Sequence, residues 1–318
     1  MRKEPDVGFV ACIEGGVLEA QALLLFESIR LYAGRFSDCA IYALSPRAGH
    51  GVSSHTRKRL EQLHVHYSDA ILHDGCLGYG PANRVAAAAH VEETRPHDIL
   101  VVLDSDSLFL REPHEILLPQ EVDVAVRPVD VKSISTAGAS DHCNVYWRKL
   151  CRCCRVEIES VPWCESFVDR CRIRANYNGG LVVARGGLGV LRRWADFFFA
   201  SMRENLRPSV EPRRFRTGTG WVDSDVSTLW GSNQAALSLA IWSTTRQVMQ
   251  LPPTYNYPLH LHSRIDPALS RAIFPHLVHV HYHWLLEEPL FANPLLSRTP
   301  FLPAQREGLL ELSRASSL

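Results

Sequence analysis

Residues 99–110 read Ile99-Leu100-Val101-Val102-Leu103-Asp104-Ser105-Asp106-Ser107-Leu108-Phe109-Leu110. The first five are aliphatic, with no polar position among them. A strand with one wet face alternates apolar and polar residues. An unbroken apolar run predicts a strand buried on both faces, at the centre of a mainly parallel sheet covered by helices. Asp104 and Asp106 follow at once. In open α/β sheets, ligands bind beyond the carboxyl ends of the strands, and here the chain puts two carboxylates. Separated by one residue, they can share a divalent cation. Their oxygens suit Mn²⁺ or Mg²⁺, which bridges diphosphate oxygens and neutralises charge on a leaving diphosphate.

Outward from this point, the N-terminal side alternates strand and helix. Asp6 to Ile13 is a short apolar run that predicts a buried strand, broken by Gly15-Gly16. Glu19 to Tyr32 has apolar residues at Ala22, Leu25, Phe26, Ile29 and Tyr32, which is helical spacing, with Gly34 placed to end it. Cys39–Leu44 and Val65–Tyr67 read as further strands, with a basic helix over Ser54–Leu63 between them. Asn83–Glu93 predicts a helix whose Ala86–Ala89 stretch can lie close to a sheet. The alternation implies parallel strands with helical crossovers.

On the C-terminal side the pattern loosens. Val122–Val126 reads as a strand, and residues 130–175 are irregular. Leu181–Ala184 predicts a strand introduced by Asn178-Gly179-Gly180. Helices are expected over Leu188–Asn205 and Ser232–Trp242, the latter capped by Ser232 or Asn233. Residues 207–222 read as a long loop. His276–Trp284 predicts a strand with histidines at alternate positions, and Gln305–Arg314 a small helix. No repeat or low-complexity linker divides the chain. The expectation is one domain over residues 1–318: an N-terminal lobe (1–130), a second lobe (131–285), and a C-terminal tail (286–318).

Composition narrows the function classes. Of 318 residues, 46% are hydrophobic, enough for a sizeable core and against wholesale disorder. Lys+Arg and Asp+Glu are both 34. A broad nucleic-acid-gripping surface is therefore not expected, though a local basic pocket is compatible. No run reaches the ~18–20 apolar residues of a membrane helix. Met1-Arg2-Lys3-Glu4-Pro5-Asp6 lacks an apolar signal core. The expectation is a cytoplasmic protein, with Phe197-Phe198-Phe199 or the tail as a conceivable peripheral membrane contact. Nine cysteines, six of them between Cys143 and Cys171, read as reduced thiols in a variable insert. Their spacing is not a standard zinc pattern.

Further residues can do chemistry. His279, His281 and His283 share a face if extended, and one could complete a metal site; imidazole favours Mn²⁺ over Mg²⁺. Arg84, in the first turn of its helix, would favour an anion. Asn178-Gly179-Gly180 offers close backbone approach and an amide for sugar hydroxyls. Asn233-Gln234 begins a helix, and Asp223 and Asp225 lie just upstream as carboxylates that could serve as a base.

Taken in order, the Asn-Arg helix, VVLDSDSLFL, YNGGLVVAR, SNQAALSLA and LVHVHYHW resemble the GT-A nucleotide-sugar glycosyltransferases, and among them the glycogenin-like retaining family 8. The likeness covers about residues 7 to 285, with a gap over the cysteine-rich stretch. It implies transfer of a sugar from a nucleotide-diphosphate sugar, UDP-linked, to an acceptor hydroxyl with retention. The likeness leaves the acceptor open among a saccharide, a lipid-linked saccharide and a protein. Asp104 and Asp106 match the metal pair, with Ser105 near the donor ribose. His279 matches the late histidine ligand, with His281 the alternative. Arg84, Asn178, Gly179 and Gly180 match donor contacts, and Ala11, Cys12 and Ile13 the strand end that holds the nucleobase. Gln234 matches the glutamine near the anomeric carbon. The family's Asp before it is Asn233 here, which leaves Asp223 or Asp225 as substitutes. No lysine follows the late histidine, so Arg84 or an arginine of 213–216 would hold the diphosphate. A non-catalytic nucleotide-binding protein and a sugar nucleotidyltransferase are the alternatives, and a zinc-holding interaction module is a third.

Overall fold

The computed structural model describes residues 4–74, 76, 78–222, 224–283, 301 and 303–316. Its N-terminal half alternates as the periodicity requires: β1 (Val7–Cys12), α1 (Val17–Tyr32), β2 (Ala40–Leu44), α2 (Ser54–Gln62), β3 (Val65–Ser68), α3 (Pro81–Thr94) and β4 (Ile99–Leu103). Local chemistry sets the ends. Ser53 caps α2 by accepting from the Thr56 N–H at 3.2 Å. Pro81 opens α3, where a missing N–H costs nothing. Gly34 follows α1 with φ +57°, the left-handed conformation that ends many helices.

Next come β5 (Ser107–Phe109) and β6 (Val124–Pro128). The stretch 130–175 is more ordered than its sequence suggests. It forms α4 (Asn144–Cys154) and a hairpin of β7 (Trp163–Glu165) with β8 (Arg172–Arg174). The buried face of α4 carries Tyr146, Trp147, Leu150, Cys151 and Cys154. This is helical spacing, but it emerges only when the cysteines are counted as small apolar residues. All nine cysteines are free thiols.

β9 (Tyr177–Arg185) is longer than expected and takes Asn178-Gly179-Gly180 into the strand instead of using them as a turn before it. After α5 (Val190–Arg203), residues 207–222 are not all loop: they contain a hairpin of β10 (Phe215–Thr217) with β11 (Gly220–Val222). Helix α6 (Ser232–Thr244) is capped by Gly231, φ +88°, with no side-chain cap from Ser232 or Asn233. β12 (Val248–Gln250), β13 (Tyr257–Pro258), α7 (Pro267–Ile273) and β14 (His279–His281) follow. β14 is shorter than the expected strand because Phe274–His276 is a 3-10 turn; Trp284 lies outside the described residues. The last helix spans Pro303–Ser316. Among the described residues no helix is long and apolar enough to cross a membrane.

Seven strands form one sheet in the order β12-β6-β9-β4-β1-β2-β3. All run parallel except β9, which pairs antiparallel with both β4 and β6. β4 is thus internal, and its side chains divide between two cores. Ile99, Val101 and Leu103 pack on the face covered by α1 and α2. Leu100 and Val102 pack on the face covered by α3, α4, α5 and α6. That explains the unbroken apolar run, each member of which stabilises by about 1.5–3 kcal/mol on burial. A smaller sheet, β13-β14-β5, lies beyond the end of β4 and packs on a third cluster with α7. It carries the late histidines back to the aspartates.

Candidate active site

The backbone of Asp104 still belongs to the large sheet, its N–H donating to Gly180 O on β9 at 3.0 Å. Its side chain leaves the sheet and enters a cleft of about 420 Å³ lined from the strand ends of β1, β4 and β6. There Asp104 forms an ion pair with Arg84 of α3, which is buried. Burial lowers the Arg84 pKa, opposed by nearby anionic groups such as Asp106. The two glycines of β9 make this pair possible. A Cβ at Gly179 would stand 2.8 Å from Arg84 Nη2, and one at Gly180 2.8 Å from Asp104 Oδ2.

Asp106 faces the small sheet. Antiparallel pairing of β14 with β5 sets His281 opposite Ser107 and His279 opposite Phe109. His281 Nε2 therefore lies 3.1 Å from Asp106 Oδ1 and 3.9 Å from Asp104 Oδ2. Burial alone would raise the Asp106 pKa, but His281, by charge and hydrogen bond, outweighs it and holds the carboxyl below the usual range. His283 joins the group: Asp106, His281 and His283 each offer a ligand atom, all within 4.8 Å of one another.

His279, the expected ligand, is not at this point. It is fully buried, its Nε2 is 3.0 Å from Ser107 Oγ, and its ring packs 4.7 Å from that of Phe109. Burial pushes its pKa down to about 3, so the ring is neutral. Two strand residues span about 7 Å, and that step puts His281, the alternative, beside the aspartates instead.

The remaining expected residues divide. Asn178 is spoken for: its Nδ2 donates to Asp130 Oδ2 at 2.9 Å and its Oδ1 accepts from Gly180 N–H at 2.8 Å. Ser105 Oγ donates to Cys12 O at 2.6 Å, which ties β4 to β1. Cys12 lines the cleft, whereas Ala11 and Ile13 are buried behind it; Ile13 N–H is already donated to Leu44 O at 3.0 Å. Gln234 lines the cleft from the first turn of α6. Asn233 is pinned: its Oδ1 accepts from Tyr79 OH at 2.9 Å and its carbonyl from Trp194 Nε1 at 2.7 Å. It is also buried, so an aspartate here would be a buried charge, and the neutral amide avoids that cost. Asp225 is exposed in the short helix before α6, and Asp223 lies outside the described residues. Among the described residues the six cysteines of 143–171 do not assemble a thiolate cluster; of them Cys143 alone belongs to a group of three ligand-type side chains, with Asp141 and His142.

Three features had not been singled out. Glu14 and Arg47 form a buried ion pair in the cleft wall. The β10–β11 hairpin reaches over the cleft, where Gln21 Nε2 donates to Gly218 O at 2.6 Å and Gly218 lies against the Asp106 carboxylate. Asp130, just past β6, lines the cleft beside Asn178. Burial raises its pKa, and Arg127 opposes this only in part. A carboxyl raised in the fold stabilises fully below its unfolded pKa, and that contribution is lost as pH rises through the folded value. Asp130→Asn should therefore raise thermal stability at about pH 7.5 and confer little gain at about pH 4.5, close to the unfolded carboxyl pKa. Unfolding scans at both pH values check this; an equal gain at both would exclude the linkage.

The Rhodobacterales glycosyltransferase domain matches residues 9–216 of the chain. The chain belongs to this glycosyltransferase family. No curated protein sequence matches it. Among solved structures, this glycosyltransferase is similar to the bifunctional glycosyltransferase WbbM, with 15% identity and a TM-score of 0.55 over 89% of this chain and 46% of that one. The chain thus spans about half the length of WbbM. It is also similar to the galactosyltransferase LgtC, solved in complex with donor and acceptor sugar analogues, with 13% identity and a TM-score of 0.52 over 97% of this chain and 95% of LgtC. These likenesses show the GT-A fold.

Proposed function

We propose that this glycosyltransferase moves a sugar from a UDP-linked donor to an acceptor hydroxyl, with a divalent cation and with retention of anomeric configuration. The observation that carries this reading is the meeting of Asp104 and Asp106 with His281 at the strand ends. That donor set fits a cation that binds diphosphate. Among the described residues the buried Nδ1 atom of His281 meets no hydrogen-bond partner, while its Nε2 faces the carboxylates. Asp106 and His281 would hold the cation, with Asp104 alongside, and its charge would neutralise that of a departing diphosphate.

The chain's own residues do the rest. Arg84, in the first turn of α3 where helix polarity also favours a phosphate, lines the cleft as an ion pair with Asp104. Asp130 carries a raised pKa and is steered by Asn178, an arrangement suited to receiving the acceptor hydroxyl's proton. Gln234 lies across the cleft and can support positive charge developing at the anomeric carbon. The β10–β11 hairpin covers Asp106 and limits water at the diphosphate.

A thermal-shift panel of nucleoside diphosphates and nucleotide sugars, with Mn²⁺, Mg²⁺ or Co²⁺, tests the reading. A ligand at 100 times its Kd stabilises by about 2.7 kcal/mol. A cation-dependent shift with uridine nucleotides, lost in Asp106→Ala, is the expected result. A shift with another base would reassign the donor, and no shift with any nucleotide would overturn the proposal. Comparing the anomeric configuration of product and donor by NMR tests retention.

A further inference from the structure

The family resemblance implies one late histidine beside the paired aspartates, but the folded chain brings a second to the same point. Asp106, His281 and His283 present ligand atoms that lie within 4.8 Å of one another. Asp104 is committed to the buried Arg84. His283 has φ +56°, a left-handed conformation rare outside glycine. In an extended strand, residues two apart stand about 7 Å apart. The backbone at 283 brings the rings closer: His283 lies 4.4 Å from His281 and 3.7 Å from His260, centroid to centroid. Backbone strain of this kind persists where the surroundings over-determine it, and it gathers at functional sites.

The donor set is thus one carboxylate and two imidazoles, with a third ring packed on its flank. Oxygen-rich sites suit Mg²⁺ and Mn²⁺, whereas imidazole suits the later first-row cations. We infer that the cation site of this chain is nitrogen-rich, formed by Asp106, His281 and His283, and that it selects a cation such as Zn²⁺ or Co²⁺ over Mg²⁺ and Mn²⁺. The inference rests on the cation-dependent reading of the cleft given above. Three protein donors leave coordination positions open for diphosphate oxygens.

The test is titration of the metal-stripped full chain with Co²⁺, followed by its visible absorption bands, with Zn²⁺, Mn²⁺ and Mg²⁺ as competitors. The expected result is one Co²⁺ site, displaced by stoichiometric Zn²⁺ and resistant to a large excess of Mg²⁺. His283→Asn should weaken Co²⁺ binding by at least about tenfold, the low end of losses at metal-site supporting groups, and shift the band. His283→Gln serves as a second variant, and thermal unfolding of both reports whether the fold is kept. If both variants bind Co²⁺ with unchanged affinity and band while Asp106→Ala abolishes binding, His283 is not a ligand; the inference falls and the proposed function stands. Displacement of Co²⁺ by comparable Mg²⁺ has the same meaning. If the wild-type chain binds no divalent cation, with or without UDP, both fall.

Discussion

Asp106→Ala is expected to lower kcat/KM for sugar transfer by about 10³-fold, the scale seen when one electrostatic support of a transition state is removed. The neighbouring Asp104→Ala should behave differently. Asp104 neutralises Arg84, which is buried, while Asp104 itself is partly exposed. Removing one partner of a buried pair leaves the other charge uncompensated, at a cost of about 3–5 kcal/mol; the partial exposure of Asp104 places the expectation near the lower figure. Asp106 faces His281 instead, so its removal takes away a hydrogen bond and not the counter-ion of a buried guanidinium. Two carboxylates one residue apart should therefore give separable phenotypes: at 106, lost transfer with the fold retained; at 104, lost stability as well. Steady-state kinetics and urea unfolding of both variants decide it. Transfer by Asp106→Ala within tenfold of wild type would remove that carboxylate from the chemistry.

The contrast arises because the chain turns at Ser105-Asp106 between β4 and β5, so the two carboxylates do not share a face as they would in an extended strand. Asp104 turns towards α3 and β9, Asp106 towards β14. A sequence can show that two carboxylates follow a buried strand. It cannot show what each one meets, because Arg84 and His281 arrive from distant segments of the chain.

The same distinction explains what was legible. Ile99–Leu103 could be placed at the sheet centre because burial on both faces writes itself into five adjacent residues. Alternation of strands and helices then gave the parallel half of the sheet. Glycine weakens a strand, so residues 178–180 read as the lead-in to one; the two glycines lie within β9 because Arg84 and Asp104 crowd its backbone, a tertiary cause with no local trace. Helix α4 was obscured by treating its cysteines as an insert instead of as apolar residues. For the histidines, a period of two put 279, 281 and 283 on one face, and only pairing with β5 determines which one reaches Asp106. Asp130 did carry a signal. It follows the end of Val124–Pro128 after one intervening residue, much as Asp104 follows Ile99–Leu103, so the strand-end rule would have found it had Arg127 and the irregular residues beyond not drawn attention away.

Trp194→Ala should be among the most destabilising single changes, costing about 3–5 kcal/mol as other buried aromatic truncations do. Trp194 is fully buried where α5 packs on α6, and its Nε1 donates to the Asn233 carbonyl at 2.7 Å. Alanine would empty the space between the helices and remove that donor. Trp194→Phe separates the two losses: the ring fills most of the volume, while the missing hydrogen bond costs about 1 kcal/mol. The urea midpoint measures both, at unchanged dependence on denaturant. A functional consequence follows from position. Asn233 is held on its backbone by Trp194 and on its side chain by Tyr79, and the next residue is Gln234 in the cleft. Trp194→Phe should therefore reduce kcat more than its modest stability loss explains, because the first turn of α6 loses one of its two anchors. If Trp194→Phe kept wild-type kcat, the Tyr79 bond alone would suffice to position Gln234, and the α5–α6 contact would matter to the fold but not to the site.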